Sequence, residues 1–141
     1  NEYQVARGVQ MITALGRRRV TFLGMSFKAG TDDMRESPLL EVIERLIGKG
    51  YDIRIFDRNV SLAKLVGANR DYLLKTVPHI SSLLVESLEE ALAHGETVVV
   101  GNGDPAFMDV GKQLRPGQEL VDLIRVTERG DLGDRYHGIN W

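Results

Sequence analysis

The residues best suited to chemistry are concentrated in residues 24–37, which read GMSFKAGTDDMRES. Lys28 offers a compact ammonium group, and Arg35 offers a planar guanidinium that matches the oxygens of a phosphate. Arg35 lies two residues before Ser37, the predicted N-cap of a helix, so Arg35 could hold an anion together with the positive end of that helix. The same charges also fit side chains that stay in solvent and pair with neighbouring acidic residues.

The elements that must position this segment alternate between strands and helices. Short β-branched and apolar runs predict strands at residues 20–24, 52–56, 97–101 and 119–123. The runs VTFL and TVVV show no polar alternation, which is typical of strands buried on both faces. Apolar residues at helical spacing, with capping residues and glycines at the ends, predict the helices. The predicted helices cover residues 2–15, 38–48, 61–66, 70–77, 88–93 and 105–114.

Strands that alternate with helices favour right-handed crossovers and a parallel sheet covered on both faces. We therefore predict an α/β fold, a three-layer Rossmann-like domain with a mostly parallel sheet. His79, Ile80 and Ser81 are expected to add a short fifth strand, whereas residues 125–141 show no periodic pattern.

In such sheets, ligands bind beyond the carboxyl ends of the strands, where this sequence places residues 25–36, 102–104 and 124–126. The first connection takes about a dozen residues, whereas a strand-to-helix loop usually takes about 2–6. A long loop at the ligand-binding edge is often functional. Because of the length and location of this loop, we keep two alternatives for Lys28 and Arg35. They bind a ligand, or they stay in solvent and pair with acidic neighbours.

Residues 101–106, GNGDPA, match the G-x-G-x-x-G/A pattern that binds dinucleotides between a strand and a helix. Asp122 ends the following strand, near where an acid that binds ribose would be expected. However, Asp104 would place a carboxylate where the pyrophosphate should lie, and Pro105 removes an N–H donor. We therefore interpret the segment as a tight turn with an Asp-Pro start to a helix.

Composition excludes several classes of function. The 141 residues fit one domain, carry a formal net charge of −2 and contain no cysteine. A disulfide scaffold, a thiolate zinc site and a cysteine nucleophile are thereby excluded within this sequence, and the balanced charge argues against nucleic-acid binding. No apolar run approaches about 18 residues, so we expect no membrane span. The three histidines are too scattered to predict a metal site, and the start without methionine indicates a piece of a longer chain.

Residues 24–38 resemble the G-x-x-F-K-x-x-T-D-D-x-R-E-S-P signature of the nucleotide-sugar dehydrogenases, which include the UDP-glucose and GDP-mannose 6-dehydrogenases. The resemblance extends over essentially the whole chain and includes DIRIFDRNV at residues 52–60. It implies that residues 17–141 form the C-terminal, nucleotide-sugar-binding domain, preceded at residues 1–16 by the end of a long central helix. It also implies a cytoplasmic homodimer or larger oligomer with that helix at the interface, and a role in polysaccharide biosynthesis.

The resemblance assigns roles to three residues of this chain. In the family, the Lys of F-K contacts the sugar nucleotide near the reacting carbon, which implies Lys28, with Phe27 beside it, as substrate-binding residues. The Arg of R-E-S contacts NAD, which implies Arg35 as a cofactor-binding residue. Members oxidise the primary alcohol of the sugar to a carboxylate in two NAD-dependent steps, through a cysteine thiohemiacetal and thioester. Because this sequence has no cysteine, we expect no catalytic residue here and no activity from this piece alone, with the main NAD domain in the rest of the polypeptide.

Two segments resemble the branch that oxidises GDP-mannose, namely GNGDPAF at residues 101–107 and PHISSLLVESLEE at residues 78–90. The UDP-glucose branch carries D-G-R after the last strand, whereas this chain reads DLIR at residues 122–125, so the role of that Arg is not carried over. We therefore expect GDP-mannose as the substrate, with the residues that read the base unassigned. A UDP-sugar dehydrogenase domain, a stand-alone nucleotide-binding or regulatory module and a structural dimerisation domain remain alternatives.

Overall fold

The described part of the chain contains one five-stranded sheet in which all neighbouring strands are parallel. The structure is a computed structural model that describes residues 2–25, 37–60, 67–77, 79–125 and 130–139. The strands are β1 (Arg19–Leu23), β2 (Asp52–Phe56), β3 (Thr97–Val100), β4 (Glu119–Asp122) and β5 (Tyr136–Gly138). Their order across the sheet is β2-β1-β3-β4-β5, so β1 lies between β2 and β3.

Helices cover both faces of this sheet, which confirms the predicted three-layer α/β fold. They are α1 (Glu2–Ala14), α2 (Pro38–Gly48), α3 (Gly67–Thr76), α4 (Ile80–Leu83), α5 (Leu88–His94) and α6 (Val110–Gln113), with 3₁₀ turns at Pro105–Phe107 and Gly130–Arg135. On β1, Val20 and Phe22 pack in the core that contains α1 and α2, whereas Leu23 packs in the core that contains α5 and α6. None of the helices described here is long and apolar enough to cross a membrane.

Helix α1 packs against the sheet domain through the same core as α2. Its residues Val5, Val9 and Ile12 are buried in that core. At its start, Glu2 accepts hydrogen bonds of 2.9 Å from Arg45 of α2, which also donates to Glu41. These hydrogen bonds, first that to Glu2 and then that to Glu41, raise the pKa of Arg45 above its usual value. The assignment of residues 1–16 to the end of a long central helix stays a prediction, because such a helix would extend into the rest of the polypeptide.

The predicted strand at residues 79–81 is wrong. His79 adopts a left-handed conformation with φ of 68°, and Ile80 begins the helical turn α4. The hydroxyl and amide of Ser82 both donate to the carbonyl oxygen of His79, which favours the turn over an extended strand. Within α4, Ile80 is the residue whose side chain is buried. The segment therefore lacks the alternating apolar pattern of a strand.

The fifth strand lies instead in the C-terminal region, where the sequence shows no period. Tyr136 pairs with Leu120 of β4, and Gly138 pairs with Asp122. A strand of three residues is too short to produce a recognisable pattern. The predicted helix over residues 105–114 is also interrupted, because it divides into a 3₁₀ turn and α6. The helix predicted at residues 61–66 lies outside the described residues.

The close contact between the ends of β1 and β3 predicts a stability difference between two glycines. A Cβ atom on Gly101 would collide with Leu39 and lie 2.8 Å from the carbonyl oxygen of Gly24. Gly101→Ala should therefore lower the free energy of unfolding by about 1–3 kcal/mol, the usual cost of overpacking. Gly103→Ala is the matched control, since its nearest neighbour would be Ile124 Cδ1 at 3.8 Å. Chemical denaturation of both variants measures the difference, and equal midpoints would contradict the contact.

Candidate functional site

The order of the strands creates a crevice between the carboxyl ends of β1 and β3. From β1 the chain proceeds to β2, towards one edge of the sheet. From β3 it proceeds to β4, towards the opposite edge. In doubly wound sheets of this strand order, ligands bind at that point of divergence. Two of the predicted ligand-binding segments, residues 25–36 and 102–104, therefore start at the same crevice, and residues 124–126 follow the adjacent strand β4.

Two glycines form the floor of the crevice. Gly24 follows β1 with φ of 88°, and Gly101 follows β3. The amide of Gly101 donates to Leu23 at 2.8 Å, and a Cβ atom on Gly24 would lie 2.5 Å from Asn102 Cγ. Glycine is needed at position 24 both for the left-handed backbone and for the close approach of the neighbouring side chain.

A buried carboxylate joins the ends of three strands. Asp57 directly follows β2 and is 4% exposed. Its Oδ2 accepts hydrogen bonds from the amide of Met25 at 2.8 Å and from Asn102 Nδ2 at 3.3 Å. Its Oδ1 accepts a hydrogen bond from the amide of Asn59 at 2.9 Å. These N–H donors compensate for the loss of water around the charge.

A second buried carboxylate carries an exposed arginine at the edge of the crevice. Asp104 accepts hydrogen bonds from Arg58 Nε at 2.7 Å and Arg58 Nη2 at 2.5 Å. The Asp104 side chain is 4% exposed and that of Arg58 is 55% exposed, so the pair places a guanidinium at the surface. Asp104 also accepts from the amide of Ala106, and its own amide donates to Asn102 Oδ1.

The geometry of Asp104 agrees with a turn rather than a dinucleotide-binding loop at residues 101–106. Its carboxylate caps the 3₁₀ turn that starts at Pro105, as the Asp-Pro sequence predicts. The same carboxylate is paired with Arg58, so negative charge occupies the start of the turn. Asp122 is likewise engaged elsewhere, because it accepts a hydrogen bond of 3.1 Å from the hydroxyl of Tyr136 and thereby helps to hold β5.

Ser37 precedes α2 as predicted, but its side chain does not cap the helix. Its hydroxyl donates instead to the carbonyl oxygen of Met25 at 3.2 Å. Met25 is therefore held at its amide by Asp57 and at its carbonyl by Ser37. Met25 and Ser37, the two described residues that flank residues 26–36, are thus joined by a hydrogen bond.

The predicted binding residues Phe27, Lys28 and Arg35 lie outside the described residues, so their roles stay predictions. Sequence reasoning missed Asp57 and Arg58 as parts of this edge. A signal was present, since both directly follow an apolar strand, at the carboxyl edge where parallel sheets bind ligands.

Other polar features of the described residues do not suit an anionic ligand or a metal. A depression of about 400 Å³ is lined by Glu41, Glu44 and Arg45 of α2 and by Tyr72 and Thr76 of α3, and its two glutamates disfavour an anion. The described residues contain no group of three or more possible metal ligands. His94 Nε2 lies 2.9 Å from the carbonyl oxygen of Asp52, in a structural contact.

Comparison with known proteins identifies close relatives. The chain is 52% identical over 124 residues to the GDP-mannose 6-dehydrogenase of Pseudomonas aeruginosa, covering 88% of this chain and 28% of that protein. It is 47% identical over 142 residues to the enzyme of the same name from Pseudomonas putida, covering 100% of this chain and 32% of that protein. The chain therefore spans about a third of the length of these curated relatives.

A solved structure agrees over the whole chain. The crystal structure of a ternary complex of GDP-mannose dehydrogenase from Pseudomonas aeruginosa matches with a TM-score of 0.87 and 48% identity, covering 100% of this chain and 32% of that one. The profile of the UDP-glucose/GDP-mannose dehydrogenase family, UDP binding domain, matches residues 21–129. The resemblance inferred from residues 24–38 is confirmed, and the chain belongs to the UDP-glucose/GDP-mannose dehydrogenase family, of which it contains the UDP binding domain.

Proposed function

We propose that this chain is the nucleotide-sugar-binding, C-terminal domain of an NAD-dependent dehydrogenase that oxidises GDP-mannose to GDP-mannuronate. The observation that carries the proposal is the likeness of the whole chain, in sequence and in fold, to GDP-mannose dehydrogenase from Pseudomonas aeruginosa. The crevice between β1 and β3 supports it, because parallel sheets bind nucleotides at this position. The rest of the polypeptide is expected to supply the catalytic cysteine, since this sequence has none.

We propose that the crevice receives the nucleotide sugar and not the complete dinucleotide cofactor. Arg58 places a guanidinium at its edge, and the glycine floor allows close approach. The turn at residues 101–106 does not offer a pyrophosphate cradle, because the Asp104 carboxylate occupies its start. We therefore place the main NAD-binding elements in the rest of the polypeptide, with Arg35 as the contact from this domain. NAD, when bound, accepts the hydride from the sugar.

Lys28 is proposed to act close to the reacting carbon. A cation there stabilises the negative charge that develops on oxygen during oxidation and the carboxylate that results. This role requires an ammonium ion and no proton transfer by Lys28. Phe27 is proposed to contact the substrate beside it. We further propose that the full-length protein is a cytoplasmic homodimer or larger oligomer that supplies polysaccharide biosynthesis.

Substrate choice tests the proposal as a whole. The full-length protein should convert GDP-mannose with a higher kcat/KM than UDP-glucose, because this chain is 52% and 47% identical to two proteins named GDP-mannose 6-dehydrogenase. The rate of NAD reduction, measured by the absorbance of NADH with each substrate in turn, gives the comparison. A preference for UDP-glucose would place the chain in the other branch. Absence of turnover with either substrate would favour a stand-alone nucleotide-binding module.

The role of Lys28 predicts a change in kcat. In the full-length protein, Lys28→Ala should lower kcat by about 10²–10³-fold, because a group that stabilises developing charge acts mainly in the transition state. The KM for NAD should change much less. Lys112→Ala, which removes an exposed ammonium from α6, is the matched control. A Lys28→Ala variant with the kcat of this control would show that Lys28 is a solvated surface residue.

The role of Arg35 predicts a selective loss of cofactor binding. Arg35→Ala should raise the KM for NAD by an amount equivalent to about 1.5–3 kcal/mol, the range for a hydrogen bond to a charged group. Arg35→Lys should not restore binding, because an ammonium cannot reproduce the planar fork. If Arg35 only pairs with Asp32 or Asp33, Lys should substitute well and both ligands should weaken together. Titration of NAD and GDP-mannose against both variants separates these outcomes.

A further inference from the structure

A hydrogen bond passes over the end of β1 without involving a side chain of that strand. Asp57 follows β2 and Asn102 follows β3, and these two strands are not neighbours, because β1 lies between them. The Asp57 carboxylate nevertheless accepts a hydrogen bond from Asn102 Nδ2 at 3.3 Å. Gly24 makes this possible, since a Cβ atom there would lie 2.5 Å from Asn102 Cγ.

The same carboxylate oxygen fixes the backbone at the next residue of the chain. Asp57 Oδ2 accepts the hydrogen bond from the amide of Met25 at 2.8 Å, and Ser37 donates to the carbonyl oxygen of Met25. Met25 is itself fully buried. The position of Met25, three residues before Lys28 in the sequence, therefore depends on side chains from β2, β3 and the start of α2.

We propose that Asp57 and Asn102 are positioning residues for the nucleotide-sugar crevice, an inference that rests on the proposed function. Each residue is only 4% exposed, so we assign both a role through the backbone that they hold and not through contact with substrate. They act through Met25, which sets where the chain leaves β1 for the residues proposed to bind the sugar. Displacement of a positioned group by about 1 Å can lower a rate by about 10²-fold.

Packing alone gives no reason for this arrangement. A buried carboxylate is costly unless N–H donors surround it, and an apolar side chain would fill the same space without that requirement. The donors that surround Asp57 come from both walls of the crevice and from its own turn. A carboxylate at this position fixes Met25, after β1, relative to Asn102, after β3. An apolar side chain would fix that relative position less precisely.

Two glycines with matched backbones provide the first test. Gly24 and Gly50 have φ of 88° and 86°, so alanine at either position must adopt a left-handed φ that side chains disfavour. Only at position 24 would the new Cβ atom displace Asn102, because Gly50 has no atom within 4 Å of that point. In the full-length protein, Gly24→Ala should lower kcat for GDP-mannose oxidation by about 10–100-fold relative to Gly50→Ala, with the KM for NAD unchanged.

Replacement of Asp57 provides the second test. Asp57→Ala removes the acceptors for Met25 and Asn102, and should lower kcat by about as much as Gly24→Ala. Asp57→Asn can keep one oxygen towards Met25 and Asn102, while an amide nitrogen replaces the oxygen that accepts from Asn59, so it should retain most of the activity. Thr21→Val is the control for stability, since it removes a buried hydrogen bond of 2.7 Å from β1 to Ala91, away from the crevice.

The outcomes separate the positioning role from the proposed function. Loss of kcat in Gly24→Ala and Asp57→Ala, but not in the two controls or in Asp57→Asn, supports the positioning role. An active wild-type protein whose Gly24→Ala and Asp57→Ala variants match the controls in kcat would overturn it and leave the proposed function intact. Equal loss in the controls would show that stability alone is affected. A wild-type protein inactive with GDP-mannose would overturn the proposed function itself.

Discussion

The carboxylate of Asp57 holds together the residues that follow β1, β2 and β3. A charge withdrawn from water requires N–H donors at defined positions, and the surrounding residues supply them. This requirement explains why Gly24 has no side chain and why Asn102 points across the sheet. It also places Asn102 Oδ1 where it accepts the amide of Asp104, which carries the arginine at the edge of the crevice.

The central strands β1 and β3 were predictable because they bury both faces. Valine-rich runs such as residues 97–100 have no polar alternation, and the structure buries all four of their side chains. β5 was not predictable, because a strand of three residues produces no recognisable pattern and its pairing with β4 joins segments that are separated in the sequence. The turn at His79 was mistaken for a strand, since the local sequence does not show that Ser82 donates to His79.

The site was predictable in location but not in detail. The length of the segment after β1 indicated the edge of the sheet at which the crevice between β1 and β3 lies, whereas the roles of Phe27, Lys28 and Arg35 stay predictions. The hydrogen-bond partner of the Ser37 hydroxyl was not predictable. Ser37 stands in the sequence position of a helix cap, yet its hydroxyl donates to Met25, which only the tertiary fold brings close. Asp104 was interpreted correctly because Asp before Pro has a local reason to cap, whereas its pairing with Arg58 required knowledge of which strand ends are adjacent.

The central position of β1 has a consequence for the order in which the domain assembles. In the described part of the chain, one helix, α2, separates β1 from β2, whereas three helices, α3, α4 and α5, separate β2 from β3. The pairing of β1 with β2 is therefore the more local event and should form first during folding, with β3 docking later. Until β3 docks, the Asp57 carboxylate lacks its partner Asn102 and stays hydrated. The final closure of the sheet edge is then coupled to dehydration of one charge, so the domain should acquire its crevice late and in a single cooperative step.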